Sequence, residues 1–212
     1  IDWSPTSDEI LFVSNREPDS DQFFNNDIFA VRVGTGAMRR LTTTENAEYW
    51  PVWSPDGRRI AYEGTKRGLT DLETTMEDTH AWVMEADGNN RREVGSGIDN
   101  RQGPPSWSSD GRALYFTVQE RGLTRLYRLP AEGGAGQAVV ADRGTVGPFD
   151  VGPSDRIAYT FATTRDLSQL YVLTGTERKP LTDLNTAVLS GKTFAEVEPF
   201  TFVSNDNRFN VE

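Results

Sequence analysis

The sequence predicts an all-β chain, a β-propeller in which four four-stranded blades are visible. Three observations lead there: a tryptophan-centred phrase that recurs along the chain, an interval between copies that suits a four-stranded blade, and alternation of apolar with polar residues after each copy. The phrase reads Asp2-Trp3-Ser4-Pro5, then Val52-Trp53-Ser54-Pro55-Asp56-Gly57, then Ser106-Trp107-Ser108-Ser109-Asp110-Gly111. An aliphatic residue follows each Trp by seven positions (Ile10, Ile60, Leu114) and an aromatic by nine (Phe12, Tyr62, Phe116). A degraded fourth copy runs from Phe149 to Tyr159 with Val151 in the Trp position, and successive positions are 50, 54 and 44 residues apart.

Each copy supplies the first two strands of a blade, joined by the Pro-Asp-Gly reversal, with the large ring packing between neighbouring blades. A loop then leads to a third strand: Asp27 to Val31, Ala81 to Met84, Arg125 to Leu129, and Leu170 to Leu173. Gly-rich turns (Gly34-Thr35-Gly36, Asp87-Gly88-Asn89, Gly133-Gly134, Gly175-Thr176) connect it to a short fourth strand such as Arg40-Leu41-Thr42 or Pro180-Leu181-Thr182. Helical solenoids of similar period are excluded by the alternation and by the Pro-Asp-Gly turns inside the unit. Ile1-Asp2-Trp3 already lies in a strand-like pattern, so further blades are expected upstream and the four form part of a larger ring.

Composition narrows the partners. The 212 residues carry 32 Asp and Glu against 22 Lys and Arg, a net charge of −10 that phosphate backbones would repel, so nucleic acid is not an expected partner. No apolar run approaches the roughly 20 residues of a membrane-spanning helix. The chain has no cysteine, which removes disulfides, thiolate nucleophiles and thiolate metal sites together. No cofactor or metal site is expected. The expected compartment is the cytoplasm with the periplasm as the alternative, and an oligomer is compatible with the open ends of a partial ring.

The phrase from Trp53 to Tyr62, with Val83-Met84-Glu85-Ala86-Asp87-Gly88 later in the same unit, resembles the propeller repeats of TolB and of the prolyl oligopeptidase family. The C-terminal stretch separates the two. Leu181 to Asn185 closes the last blade, a polar connector follows, and Glu198-Pro199-Phe200-Thr201-Phe202-Val203-Ser204 leads through Asn205-Asp206-Asn207 to Phe209-Asn210-Val211-Glu212. That is similar to the junction of acylaminoacyl-peptidase-like members, where the propeller hands over to the first hairpin of an α/β-hydrolase domain. The usual Asp-Gly turn is Asp206-Asn207 here, and Asn tolerates positive φ. The resemblance divides the chain into blades over 1–183, a linker over 184–198 and the start of a hydrolase domain over 199–212. It implies a propeller that gates and docks substrates for a serine exopeptidase or oligopeptidase acting on short peptides, with the hydrolase domain of the same protein and the peptides as partners. The alternative is a stand-alone TolB-like protein-binding propeller; a third reading, a propeller lyase or glycosidase, finds no residues to carry it.

The family's Ser, Asp and His triad sits in the hydrolase domain, and no Gly-x-Ser-x-Gly elbow occurs in this sequence. The chain alone is therefore expected to have no catalytic residues. Val94-Gly95-Ser96-Gly97 lacks the spacing and reads as a flexible turn; His80, the single histidine, reads as packing. Ser190-Gly191-Lys192-Thr193 lacks the earlier Gly of a phosphate loop. The oxygen-rich loop around Asp19, Asp21, Asn25, Asn26 and Asp27 lacks the order of a calcium loop, and the acidic run Asp71, Glu73, Glu77, Asp78 has the same status. If Pro-Asp-Gly turns on one face, alternation puts the second-to-third loops (16–26, 64–79), the blade connector 96–103 and the chain exit on the other. On that face Arg101 is the candidate substrate-binding residue, since a guanidinium grips a peptide carboxylate or carbonyl in two places.

Overall fold

The computed structural model describes residues 1–20, 25–65 and 78–211. Sixteen strands form four antiparallel meanders. Blade 1 is β1 (Asp2–Trp3), β2 (Glu9–Ser14), β3 (Asp27–Arg32) and β4 (Met38–Arg40); blade 2 is β5 (Glu48–Trp53), β6 (Arg59–Thr65), β7 (Thr79–Glu85) and β8 (Arg92–Glu93). Blade 3 is β9 (Ser106–Trp107), β10 (Ala113–Glu120), β11 (Leu123–Pro130) and β12 (Gln137–Val140); blade 4 is β13 (Thr145–Val151), β14 (Ile157–Ala162), β15 (Gln169–Thr174) and β16 (Glu177–Pro180). Blades 3 and 4 touch through one parallel pair, Thr124 opposite Thr145. The first strands of successive blades contact one another, so β1, β5, β9 and β13 form the inner edge. The all-β propeller expected from the repeats is what the chain forms.

The repeated phrase works through its Ser and Asp as much as through Pro and Gly. The Ser54 carbonyl accepts the Gly57 N–H at 2.8 Å, its hydroxyl accepts the Arg59 N–H at 2.9 Å, and the same hydroxyl donates to Asp56 at 2.6 Å. Ser108 repeats the pattern with Gly111, Ala113 and Asp110 at 2.9, 2.8 and 2.7 Å. The serine hydrogen bond holds both Asp56 and Asp110 below the usual carboxylate range. Gly57 and Gly111 sit at φ 69°, where a side chain is disfavoured. The degraded copy abandons this geometry: Pro153–Asp155 is a 3₁₀ turn, and Asp155 instead accepts the Ser109 N–H of blade 3 at 2.7 Å.

Inner strands tolerate proline because their free edge faces the axis. In β5 the register shifts between Tyr49 and Val52, bulging out Trp50-Pro51, and in β13 it shifts between Val146 and Phe149 around Gly147-Pro148. Three cores lie between blades. Trp53 joins Leu11, Ile28, Ile60, Tyr62 and Met84; Trp107 joins Val83, Leu114, Phe116 and Leu129; Tyr159 joins Tyr115, Leu126, Ile157 and Phe161. Each Trp packs back onto the preceding blade, and the Trp107 indole donates to the Val52 carbonyl at 3.1 Å while Arg59 lies 4.9 Å above its ring. Trp3 occupies the same place on blade 1 and is 52% exposed, with half-buried Ile10 and Phe12 beside it.

Two expectations shift by a few residues. The fourth strands end earlier than expected, at Arg40 and Pro180; the Leu41 and Leu181 N–H groups still bond to Ile28 and Leu170, while Thr42 and Thr182 turn their hydroxyls onto the same strand ends. Among the described residues the terminal hairpin pairs Phe202–Val203 (β17) with Asn210–Val211 (β18), within the wider 200–203 and 209–212 spans that alternation suggests, and its apolar residues are exposed; Glu212 lies outside the described residues. That turn copies the blade phrase: Asn207 stands at φ 57°, and Ser204 bonds to Asn207, Phe209 and Asp206 as Ser54 does to Gly57, Arg59 and Asp56.

Trp107→Ala should cost about 3–5 kcal/mol, the range for emptying a buried aromatic site. Trp3→Ala should change stability by less than about 1 kcal/mol, as at other solvent-facing positions. Urea denaturation of both variants checks the contrast.

Candidate functional site

The candidate site lies on the face where the second-to-third loops and blade connectors open. Its connectors are pinned from below by buried polar residues. In blade 1 the Thr42 hydroxyl accepts the Ile28 N–H at 2.9 Å and lies 3.0 Å from both Asp27 Oδ1 and Glu48 Oε2. In blade 2 no threonine is available, and Gln102 reaches in instead: its Oε1 accepts the Ala81 N–H at 2.9 Å and its Nε2 donates to the Gly95 and Ile98 carbonyls at 2.8 and 3.0 Å. A Cβ on Gly95 would fall 1.9 Å from Gln102 Oε1, so the first half of the Val94-to-Gly97 turn is packed while Ser96 and Gly97 are exposed. In blade 4 Thr182 again accepts the Leu170 N–H and donates to Gln169 at 2.8 Å.

Glu48 is 2% exposed, and burial, with smaller opposing hydrogen bonds from Thr44 and Thr42, pushes its carboxyl up to about 7. Proton counting agrees. Thr42 has one hydroxyl proton and two carboxyl neighbours, so the second contact needs a proton on a carboxyl. Asp27 is ion-paired with Arg40, which leaves Glu48 as the protonated partner. Thr44 donates to its other oxygen at 2.5 Å. Asp27, weighed in the sequence as part of an oxygen-rich loop, is thus 1% exposed and committed to Arg40 and Thr42; Asp21 of that loop and Asp71, Glu73 and Glu77 lie outside the described residues.

Arg101 stands in the connector that precedes β9, exposed, with its carbonyl accepting the Gln119 N–H at 3.1 Å. Among the described residues its guanidinium makes no ion pair, and its charge acts on two neighbours, Tyr49 and Glu63. Burial raises both of those groups. Tyr49 is followed by Trp50, which is 62% exposed on the inner strand. The sequence singles out Arg101 and does not single out Tyr49, Trp50 or Glu63, because nothing in the repeat tells an inner-strand bulge from a packed aromatic. His80 is 2% exposed with Nδ1 2.5 Å from Glu93, near the loop-face end of β7 opposite Gly64.

The chain leaves over the same face. Asn185 ties the start of the linker to Asp166 and the Leu167 carbonyl at 2.8 and 3.1 Å, a short helix α1 (Thr186–Leu189) follows, and Glu196 pairs with Arg165 at 3.0 Å. Val197 to Phe200 then cross the loops of blades 3 and 4, enclosing a cavity of about 440 Å3 with Arg121, Arg143 and Thr163. The exit thus shares a face with the described loops of blades 3 and 4; residues 21–24 and 66–77 of the two longest second-to-third loops lie outside the described residues.

No family model matches the chain. Over 108 residues it is 34% identical to dipeptidyl-peptidase 5 of Trichophyton equinum; that stretch is 50% of this chain and 14% of that protein. In fold it is similar to Pyrococcus horikoshii acylaminoacyl peptidase, with a TM-score of 0.74 and 21% identity over 98% of this chain and 30% of that one. TolB from Acinetobacter baumannii gives a TM-score of 0.65 at 16% identity over 85% of this chain and 42% of that one. These likenesses show the β-propeller fold that the repeat phrase led one to expect, and the matched stretch spans only 14% of the curated relative's length.

The raised Glu48 carboxyl makes stability pH-dependent. Its folded value of about 7 lies above the ordinary 4.5, so its contribution is full below about pH 4.5 and is lost as pH rises through 7. The loss is on the order of 3 kcal/mol. Glu48→Gln keeps the neutral hydrogen bonds and should flatten this slope, read as denaturation midpoint against pH.

Proposed function

We propose that this chain is the substrate-admitting and docking propeller of a serine peptidase acting on short peptides, with the chemistry supplied by an α/β-hydrolase domain that the 199–212 hairpin begins. The observation that carries the reading is the exit segment. Leu181, Leu184, Val188, Phe194, Val197, Phe200, Phe202 and Val203 are all exposed large apolar residues, concentrated where the chain leaves the loop face. A two-stranded hairpin is marginal in water by itself. Phe200 and Phe202 stack on each other at 6.1 Å and expose 74% and 51% of their surface, which suits a face awaiting a second domain. The peptidase name of the matched relative supports the same reading.

In this arrangement blades 3 and 4 and the 184–198 linker hold the hydrolase over the loop face. Peptides reach it past Arg101, whose guanidinium makes no ion pair among the described residues and takes a carboxylate or carbonyl. The open face of blade 1, with Trp3, Ile10 and Phe12, is where a further blade packs.

Replacing Phe200 and Phe202 by Ala in the full-length protein should weaken docking by a few kcal/mol. The 184–198 linker should become more cleavable and peptidase activity should fall, while the blades keep their melting transition. An unchanged linker and unchanged activity, or blades that unfold with the hairpin, would place the hairpin in the propeller. The isolated chain should turn over no chromogenic dipeptide; hydrolysis blocked by a serine-directed covalent inhibitor would overturn the assignment.

A further inference from the structure

Trp50 is placed where neither backbone preference nor packing accounts for an indole. It adopts φ 50°, in the left-handed region that a bulky side chain avoids. It is also 62% exposed, so it gains little from burial. The bulge itself does not need it: the β13 bulge is made by Gly147-Pro148, and Pro104-Pro105 precede β9 in blade 3. Strain held at a bulky residue is most often retained for a ligand.

Its surroundings limit what that ligand is. β5 belongs to the inner edge, where the first strands of the blades converge, so an extended chain reaches the ring more readily than a folded surface does. The exposed apolar residues of the exit segment form a separate surface. Tyr49, next to Trp50, pairs across the strand with Glu63, and Arg101 acts on both. An exposed indole thus follows a Tyr49–Glu63 pair with a buried carboxyl, and Arg101, which makes no ion pair among the described residues, is the cation whose charge reaches that pair. The set complements an apolar side chain flanked by the carbonyl and N–H groups of a peptide.

We propose that Trp50 is a stacking platform in the propeller bore that selects peptides carrying an aromatic or large aliphatic side chain, with Arg101 holding the adjacent peptide carbonyl or carboxylate. The inference rests on the reading that this propeller admits peptides, and it adds the class of side chain that passes.

The test uses two blocked tetrapeptides that differ only in a central Phe or Gly, titrated against the 212-residue chain and followed by calorimetry and indole fluorescence. The Phe peptide should bind roughly three- to tenfold more tightly. Trp50→Gly, which relieves the left-handed backbone, should abolish that preference with no fall in melting temperature, and Trp50→Phe should restore part of it. Arg101→Ala should weaken both peptides alike. A preference that survives Trp50→Gly, a melting temperature that drops sharply with it, or no binding of either peptide overturns the proposal. None of these results depends on linker cleavage or hydrolysis, so the docking reading stands or falls separately.

Discussion

Each blade is a four-stranded meander with apolar side chains on both faces, and such a sheet buries neither face unless another blade lies against it. The tryptophan of the inner strand, wedged back onto the preceding blade, is the contact on which the rest depends. Where that wedge has a partner, Trp53 and Trp107 are buried at 8% and 7% exposure; where it has none, Trp3 stands at 52%. The same residue type in the same phrase is core or surface according to its neighbour alone. The packing is additive along the ring, as in other repeat architectures, with one core per junction.

The serine of the phrase orders the inner strand from the other end. One side chain bonds two backbone positions and a carboxylate across the first turn, so the ring is presented at a fixed angle to the blade behind it. The terminal hairpin uses the same Ser204 and Asp206 device without a blade around it. A tight turn of this kind closes any two-stranded ribbon, and what distinguishes the hairpin from a blade is burial, not turn chemistry.

The proposed site lies on the opposite face, where the polar requirements of the connectors are met beneath it. Thr42 with Glu48, Gln102 with Gly95, and Thr182 with Gln169 satisfy the strand ends by three different residue sets in the same place. A buried neutral carboxyl in the first set keeps two acidic groups within reach of one hydroxyl without charge repulsion. Held from below, the connectors leave Arg101 and Trp50 exposed and free to vary in role.

From the repeat alone the chain determined its strands, its four blades, the face on which loops and exit converge, and the presence of Arg101 there, since these follow from alternation, from turn residues and from the direction of the chain. Trp3, Trp53 and Trp107 were also legible as wedges, because one phrase places them alike. What only the tertiary structure decided is what depends on neighbours remote in sequence. The Glu48 carboxyl is raised because it is buried, with the Asp27 charge adding to the shift against the hydrogen bonds of Thr44 and Thr42, Gly95 is packed because Gln102 fills its space, and Trp50 is exposed because two residues of β5 find no partners on β6. Periodicity records which face a side chain prefers; it carries no record of bulges, proton sharing or the distance to the next blade, and the candidate site is built from those three.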